Sequence, residues 1–214
     1  GRTMSVEGTR RATIDDVARL ANVHKATVSR ALNAATRHQV SAATVERVER
    51  VAAELGYVAN AMARGLRTSS SMAIGVVIPD LTNPFFPPIV RGIEHFLQPR
   101  GYTVLLANTD SSEAIERAVV ASLLGRRVDG LIIASGVKDH QSALAEAHAV
   151  GAKAVMLNRD AGSALYPLVA GNDASGVAAA VAHLAQLGHR DLVHIAGPLE
   201  LSTSATRSSA FVEA

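Results

Sequence analysis

The sequence predicts two parts of different fold class: a small all-α head and a larger α/β body. Between positions 12 and 58, residues that cap helices alternate with apolar residues at helical spacing. A hydroxyl-rich stretch follows and ends at Ser71. From Met72 onward, apolar runs of strand length alternate with helical segments, which is typical of a parallel sheet covered by helices on both faces.

Composition narrows the class of protein. The chain has 214 residues, 48% of them hydrophobic, which suits one or two globular domains. It has no cysteine, which excludes disulfides and thiolate metal sites. The first residues contain no apolar core of a signal peptide, and no run of 18 apolar residues occurs. We therefore expect a cytoplasmic protein that does not enter a membrane.

Charge is divided unevenly along the chain. Up to Ser70 there are 11 Lys and Arg against 6 Asp and Glu, whereas the remainder has 10 against 13. A basic head on a slightly acidic body indicates that the head alone has a polyanionic partner. The alternative is that small helical heads often carry a few excess charges with no such partner.

The first helix is predicted over "TIDDVARLA". Thr13 can cap it, and the two aspartates that follow suit the positive end of the helix dipole. Its buried stripe is expected to be Ile14, Val17, Ala18 and Ala21. Asn22 comes next, where a tight turn between helices needs a left-handed backbone, and Asn adopts that conformation more easily than most residues.

The second helix, within "HKATVSRALN", has two distinct faces. Val28 and Leu32 form a thin apolar seam, which we expect to pack on the first helix. The other face carries Lys25, Ala26, Ser29, Arg30 and Asn33. A third helix is predicted over "SAATVERVERVAAELG", with Ser41 as its cap and Gly56 as its end. Three short helices with a tight turn between the first two form a helix-turn-helix.

In a helix-turn-helix the second helix enters the DNA major groove. Arg30 has the planar fork that suits a guanine edge, Lys25 suits a guanine or a phosphate, and Ala26 suits a thymine methyl. Phosphate oxygens suit Thr27, Ser29 and Asn33. The alternative is a solvated helix face in a small bundle.

The segment from Asn60 to Leu66 is long enough for about two helical turns, which are unstable alone in water. Leu66 lies between Arg64 and Arg67, and an exposed leucine on such a segment is costly in a monomer. If two copies meet over a minor groove, paired leucines can open a base step while the arginines neutralise phosphates. The alternative is a plain interdomain linker.

The body is predicted to hold five strands and four helices. The strands are "MAIGVVIP", "YTVLLAN", "DGLIIAS", "KAVMLNR" and "DLVHIAG". The helices lie within "FPPIVRGIEHFLQPRG", "SEAIERAVVASLLGRR", "QSALAEAHAVG" and "GVAAAVAHLAQLGH".

Four segments in this order resemble the lactose-repressor-like (LacI/GalR) family of bacterial transcription regulators. They are "TIDDVARLANVHKATVSRALN", "VSAATVERVERVAAELGYVANAMARGLR", "IGVVIPDLTNPFFPPIVRGIE" and "HLAQLGHRDLVHIAGP". The resemblance implies a homodimer, or a pair of dimers, on a roughly palindromic operator in double-stranded DNA. It also implies a body of two α/β lobes like a periplasmic binding protein, with a small effector between them that resets the hinge helices.

The resemblance also implies roles for single residues. Lys25, Ala26 and Arg30 occupy base-reading positions, and Thr27, Ser29 and Asn33 backbone-contact positions, to which we add His24. Leu66 matches the minor-groove lever, with Ala63 and Arg67 beside it. The effector-binding positions are Phe85, Phe86, Asn158, Thr203 and Arg207.

The chain departs from the family pattern at several positions. His24 replaces the usual Ser or Thr cap, Asn22 the common Gly, and Ala59 the common Pro. Leu201 stands where nucleobase-binding members have an arginine. Family members also continue well beyond "SSAFVEA", so we expect a truncated chain with an incomplete second lobe. The expected divisions are a head at 12–58, a hinge helix and linker at 59–71, lobe one at 72–168 and the start of lobe two at 169–214.

The alternative functions lack their sequence signatures. An enzyme on a doubly wound sheet would favour GxGxxG, GxxxxGK[ST] or GxSxG, and none is present. The eight histidines lack the spacing of metal ligands, so no metal or cofactor is expected. A sugar-binding transport protein would have a signal peptide and no DNA-binding head. We expect a repressor whose effector is a sugar or sugar derivative, with a nucleobase, a nucleoside or another small metabolite as the alternative.

Overall fold

The computed structural model describes residues 11–33, 36–58, 70–137, 142–162 and 164–214. The chain divides into two compact units, Gly1–Ala63 and Arg64–Ala214. They correspond to the head and the body, and each is described by itself. Within the described residues, no helix is both long and apolar enough to cross a membrane.

In the part of the head that the structure describes there are three α-helices, α1 (Ile14–Leu20), α2 (Lys25–Ala31) and α3 (Ala42–Glu54). A short 3-10 turn, Arg37–Gln39, links the last two. Small apolar side chains fill the space between the helices, as expected for helices this short. The buried set is Val17, Ala18, Ala21, Val28, Ala31, Val45, Val48, Val51 and Ala52.

Local capping explains where the head helices begin and end. The Thr13 N–H donates to the Asp16 carboxylate at 2.9 Å, and the Asp16 N–H donates to the Thr13 hydroxyl, so both halves of a capping box form. Asn22 has φ +51°, the left-handed conformation predicted for the turn. The Ser41 hydroxyl caps α3, and Gly56 follows its end with φ +61°.

The body is built on a five-stranded parallel sheet. Its strands are β1 (Ala73–Ile78), β2 (Thr103–Asn108), β3 (Gly130–Ile133), β4 (Ala154–Leu157) and β5 (Leu168–Val169). Their order across the sheet is β2-β1-β3-β4-β5. The order reverses direction between β1 and β3, which is the switch point of a doubly wound sheet.

Among the described residues of the body, five α-helices accompany the sheet: α4 (Phe86–Leu97), α5 (Glu113–Gly125), α6 (Ser142–Ala149), α7 (Asp173–Gln186) and α8 (Ser202–Glu213). Successive strand residues feed different cores because strand side chains alternate between faces. Val77 belongs to a core with residues of α5 and α6, whereas Val76 and Ile78 pack with residues of α4. The predicted doubly wound α/β class is therefore confirmed.

The strand predicted over "DLVHIAG" is wrong. Residues 191–197 have no strand structure, and Val193 and Ile195 are 89% and 94% exposed. An apolar run becomes a strand only when a neighbouring strand supplies hydrogen bonds and a buried face. No strand in the described part of the chain pairs with this segment. The short β5 and the helix α8 are not among the predicted elements.

Candidate nucleic-acid interface and effector site

The second helix of the head packs through the predicted seam. Val28 is fully buried and Leu32 is partly buried against the same core, which also includes Ala31. Val17 and Ala21 of the first helix and its turn contribute to that core. The seam therefore fixes which face of α2 is turned away from the protein.

We call the remaining predicted DNA-contact residues of α2, together with Asn33 just after the helix, the ridge: Lys25, Ala26, Thr27, Ser29, Arg30 and Asn33. Lys25 and Arg30 are exposed, and the other four residues are half-buried. The Lys25 ammonium lies 4.0 Å from the Asp15 carboxylate, but both side chains are mostly exposed, so this ion pair is weak. Arg30 forms no ion pair within the described residues. The ridge thus presents two cations to an incoming anion.

His24 takes the place of the usual hydroxyl cap. Its Nδ1 accepts a hydrogen bond from the Ala26 N–H at 3.2 Å, at the start of α2. This bond satisfies one of the free N–H groups of the first turn. His24 is exposed, so its other ring nitrogen, Nε2, remains at the surface beside the ridge.

Arg47, which the sequence pattern does not mark as a site residue, links α3 to the turn before the ridge. Its Nε donates to the Ala21 carbonyl oxygen at 3.0 Å, which ties α3 to the turn before α2. The loop after α2 is held as well: the Thr36 hydroxyl donates to the Arg30 carbonyl at 3.2 Å, and Arg37 pairs with Glu49 at 3.1 Å. The sequence feature that could have identified Arg47 is its position between two valines of the buried face of α3.

The predicted hinge residues Ala63, Leu66 and Arg67 lie outside the described residues. Asp129 holds the body end of the same linker, because its carboxylate accepts four hydrogen bonds from linker residues and from Met72. The Ser71 N–H and hydroxyl donate to Oδ1 at 2.7 and 3.1 Å, and the Met72 N–H donates to Oδ2 at 3.1 Å. The Ser70 hydroxyl also donates to Oδ2. Burial raises the pKa of Asp129, but these bonds outweigh it and lower the pKa below its ordinary value.

The predicted effector residues in the β1 and β4 loops follow the carboxyl ends of those strands. Phe85 and Phe86 follow β1, and Asn158 follows β4. The Asn83 carboxamide accepts from the Phe85 N–H at 3.0 Å, which shapes the loop after β1. In open α/β sheets, ligands bind in the crevice outside these strand ends, at the switch point. This edge of the sheet is therefore where an effector is expected to bind.

The two phenylalanines of this edge have different environments. Their rings meet edge to face with centroids 5.2 Å apart. Phe85 is 48% exposed, whereas Phe86 is only 1% exposed and packs with Val76 and Ile78. The Phe86 ring lies in the core beside α4, and the assignment of both rings to an effector site stays a prediction. Phe85 is the accessible ring of the pair.

The loop after β4, which carries Asn158, is joined to the start of α8 by one hydrogen bond from Asp160. Asn158 has φ +63°, and its N–H donates to the Val169 carbonyl at 2.8 Å. Two residues later, the Asp160 N–H donates to the Ser202 hydroxyl at 2.9 Å. Thr203 is the next residue of α8 and is half-buried. The β4 loop and the start of α8 therefore form one surface.

Arg207, the remaining predicted effector residue, already has an acidic partner. Its Nη2 lies 2.8 Å from Oδ1 of Asp173, and its Nε donates to the same oxygen at 2.9 Å. Asp173 lies in the first turn of α7. The pair joins α7 to α8, so Arg207 can bind an effector only if it shares or releases Asp173.

A second arginine at this edge, Arg159, was not identified from the sequence. Its Nε and Nη1 are buried and have no hydrogen-bond partner. The guanidinium carbon lies 6.0 Å from the centroid of the Phe86 ring. Burial lowers the pKa of Arg159 because the charged form loses hydration.

Two histidines of the body pack against aromatic rings. His148 meets Tyr166 edge to face at 5.7 Å, and His194 lies 4.9 Å from the Phe211 ring, measured between centroids. Across the described ranges, no group of three His, Asp or Glu side chains is arranged to hold a metal ion.

Two family profiles match the chain. Residues 13–60 match the profile for bacterial regulatory proteins of the lacI family. Residues 71–214 match the profile for periplasmic binding proteins and the sugar binding domain of the LacI family.

Known proteins agree with these matches. The ribose operon repressor of Halalkalibacterium halodurans is 36% identical over 201 residues, which is 94% of this chain and 59% of that protein. The Lac repressor dimer bound to operator and the anti-inducer ONPF is 29% identical with a TM-score of 0.79, over 95% of this chain and 61% of that one. The Lac repressor bound to ONPG in the repressed state is 31% identical with a TM-score of 0.82, over 95% and 62%. The chain spans about three fifths of the length of these relatives, and it belongs to the LacI family of bacterial regulatory proteins.

Proposed function

We propose that this chain is a sequence-specific DNA-binding regulator of transcription, acting as a repressor, whose operator affinity is controlled by a small effector. The observation that carries the proposal is the position of Arg30. Its exposed guanidinium stands on the ridge with no ion pair among the described residues, while Val28 on the other side of α2 is fully buried. A cation held out on a docked helix is suited to a base edge in the major groove.

The remaining ridge residues divide by chemistry. We assign base contacts to Lys25, Ala26 and Arg30. We assign contacts to the DNA backbone to Thr27, Ser29, Asn33 and His24. Such contacts set the register of the helix on the duplex. The Nδ1 of His24 already accepts the Ala26 N–H, so a phosphate contact would use its Nε2.

The proposal includes a symmetric pair of chains on the operator. The similar Lac repressor structure is a dimer bound to operator, which supports a homodimer or a pair of dimers here. In such a pair, Ala63, Leu66 and Arg67 would enter the minor groove between the two heads. A bacterial protein with a DNA partner of this kind works in the cytoplasm, and we assign it no catalytic role.

For the effector we propose a sugar or a sugar derivative. The matching profile describes a sugar binding domain, and a similar protein is named a ribose operon repressor. The residues we assign to it are Phe85, Phe86, Asn158, Thr203 and Arg207. An exposed aromatic ring beside amide, hydroxyl and guanidinium groups suits a hydroxylated ring.

The experiment that tests the proposal begins with selection of bound duplexes from a random pool. Affinity for the selected duplex and for a scrambled duplex is then measured by fluorescence anisotropy at several salt concentrations. Arg30→Ala is expected to remove the preference for the selected duplex, because one good bidentate base contact is worth about 1–3 kcal/mol. Binding of the unmodified chain is expected to weaken steeply with salt.

Arg50→Ala is the matched control, because it removes the same charge from an exposed position on α3. It is expected to lower affinity for both duplexes by the same small factor and to leave the preference intact. Equal affinity of the unmodified chain for selected and scrambled DNA would overturn the proposal. So would a preference that survives Arg30→Ala unchanged.

A further inference from the structure

Positive charge in the body is concentrated at one edge of the parallel sheet. Four segments lie at the amino ends of the strands and form what we call the amino edge: residues 70–72, 98–102, 126–129 and 150–153. Of the 10 Lys and Arg and the 13 Asp and Glu that follow Ser70, these segments hold four cations and one acid. The cations are Arg100, Arg126, Arg127 and Lys153. The amino edge is therefore basic on a body whose net charge is negative.

Backbone hydrogen bonds hold the segments of the amino edge side by side. The Thr103 N–H donates to the Met72 carbonyl at 2.8 Å, which joins the starts of β2 and β1. The Leu131 N–H donates to the Lys153 carbonyl at 2.9 Å, which joins β3 to the start of β4. Between these two pairs, β1 is paired with β3. Neighbouring strands lie about 5 Å apart, so the four segments cover a width of roughly 15 Å.

No carboxylate neutralises these cations. All four are exposed, and none of them forms an ion pair in the described part of the chain. The Arg100 guanidinium carbon lies 3.7 Å from the centroid of the Phe96 ring, and its Nη1 donates to the Phe96 carbonyl at 2.6 Å. These contacts orient Arg100 but leave its charge unpaired. The one acid of the edge, Asp129, accepts its hydrogen bonds from the linker and Met72.

The ends of the helices explain only part of this pattern. Helices that connect parallel strands end at the amino edge, and a cation stabilises the negative end of a helix dipole within the last turn. Arg126, which directly follows α5, is explained in this way. Lys153 lies four residues beyond the end of α6, too far for this effect. Arg127 has φ +57°, a left-handed backbone that an arginine adopts at a cost, so local structure does not favour it.

The linker from the head joins the body at the same edge. Asp129 holds Ser71 there through two hydrogen bonds. Ser70 is 12 positions after Val58, the last described residue of the head. A chain of that length spans at most about 40 Å, which keeps the amino edge within reach of a duplex that the head binds. DNA carries one negative charge per about 1.7 Å of helix axis, so an edge of this width can face several phosphates.

We propose that the amino edge of the body is a second DNA-contact surface, which binds the phosphate backbone of the duplex held by the head. Arg127 and Lys153 are its main contacts, with Arg100 and Arg126 beside them. The inference rests on the proposed DNA-binding function and adds a contact that contributes affinity without reading sequence. Such contacts release counterions from the DNA, so their contribution falls as the salt concentration rises.

The test measures how DNA binding depends on salt. Fluorescence anisotropy gives the affinities of the unmodified chain, Arg127→Gln and Lys153→Gln for the selected and the scrambled duplex over a series of salt concentrations. Each substitution is expected to reduce the slope of log affinity against log salt by about 1 per bound chain. The ratio of the affinities for the two duplexes is expected to stay the same, because phosphate contacts carry no sequence information.

Arg91→Gln is the matched control, because it removes an equal charge from an exposed position in the middle of α4. It is expected to leave the salt slope unchanged. Unchanged slopes in both Arg127→Gln and Lys153→Gln overturn the inference, whatever else the edge binds. Equal reductions in those variants and in Arg91→Gln overturn it as well.

Melting temperatures measured without DNA show whether each variant folds. Variants that melt earlier but bind DNA with the slope of the unmodified chain would assign these cations to the stability of the fold alone, and the inference would then be wrong. We expect the variants to melt close to the unmodified chain, because both side chains are exposed and form no ion pair among the described residues.

Chemical labelling tests the same surface without any substitution. The extent of lysine acetylation, read by mass spectrometry, is compared with and without the selected duplex. We expect the duplex to protect Lys153 as well as Lys25, which lies on the ridge. Protection of Lys25 with undiminished labelling of Lys153 overturns the inference.

Failure of the proposed function is distinguishable from failure of this inference. Sequence-selective binding whose salt slope is unaffected by Arg127→Gln and Lys153→Gln removes only the second surface. Equal affinity of the unmodified chain for the two duplexes removes the proposed regulator, and the salt slopes of the variants still decide the inference.

Discussion

The Nε of Arg47 on α3 donates a 3.0 Å hydrogen bond to the carbonyl oxygen of Ala21, at the end of α1. This bond joins the third helix to the turn that sets the direction of the second. The fully buried residues of the head core are alanines and valines, and larger side chains such as Leu32 and Leu55 pack against them. The bond adds a polar link between residues 26 positions apart in the sequence.

We predict that Arg47→Met lowers the free energy of unfolding by about 1–2 kcal/mol, because the Ala21 carbonyl loses a charged donor in a partly buried position. DNA affinity is expected to fall with it, since the ridge is no longer held. Denaturant unfolding followed by circular dichroism measures the first effect. Arg50→Met on the exposed side of α3 is the control, and equal stability of the two variants would show that the bond contributes nothing.

A second prediction concerns His24, which caps α2 through Nδ1. His24→Ala is expected to destabilise the head by about 0.5–2 kcal/mol, the usual cost of losing a side-chain cap. His24→Ser should restore most of the loss, because its hydroxyl can accept the same backbone hydrogen. Thermal melts of the three proteins measure this order. An alanine variant as stable as the serine variant would contradict it.

The signals that were predicted correctly are local ones. The cap at Thr13, the left-handed Asn22 and the cap at Ser41 each depend on residues within three or four positions. Alternation of strand and helix patterns also predicted the class of the body, because the period of apolar residues determines the element.

The features that could not be predicted depend on which residues meet across the fold. Nothing local distinguishes Phe85 from Phe86, yet one is exposed and the other is buried by the direction of α4. The apolar segment at 191–197 has the composition of a strand but no neighbouring strand among the described residues. Arg207 pairs with Asp173, whereas the buried Nε and Nη1 of Arg159 have no hydrogen-bond partner among the described residues. Both results depend on the tertiary structure, so the spacing of residues in the sequence cannot predict them.

A third prediction concerns the pH dependence of the linker anchor. The hydrogen bonds to Asp129 lower its folded pKa, so the charged carboxylate stabilises the folded chain. That stabilisation is complete above the unfolded pKa of about 3.9 and is lost as the pH falls through the lower folded value. Asp129→Asn is therefore expected to cost about 1–2 kcal/mol near neutral pH, and the difference should shrink below about pH 4.

Urea unfolding of the unmodified chain and of Asp129→Asn at a series of pH values measures this difference. Asp110→Asn is a suitable control, because Asp110 is exposed and lies outside the anchor. A cost for Asp129→Asn that stays constant from neutral pH to pH 3 would show that the charge of Asp129 is not what holds Ser71 and Met72.

The most direct measurement of the central claim, that Arg30 reads a guanine, is a double-mutant cycle between protein and DNA. Each guanine of the selected duplex is replaced in turn by 7-deazaguanine, which lacks the N7 acceptor, and each duplex is titrated with the unmodified chain and with Arg30→Ala. We predict one symmetric pair of guanines at which the effects of the two changes on binding free energy are non-additive. At these guanines the base change weakens binding by the unmodified chain by about 1 kcal/mol or more and leaves binding by Arg30→Ala unaffected. Additive losses at every guanine would contradict it.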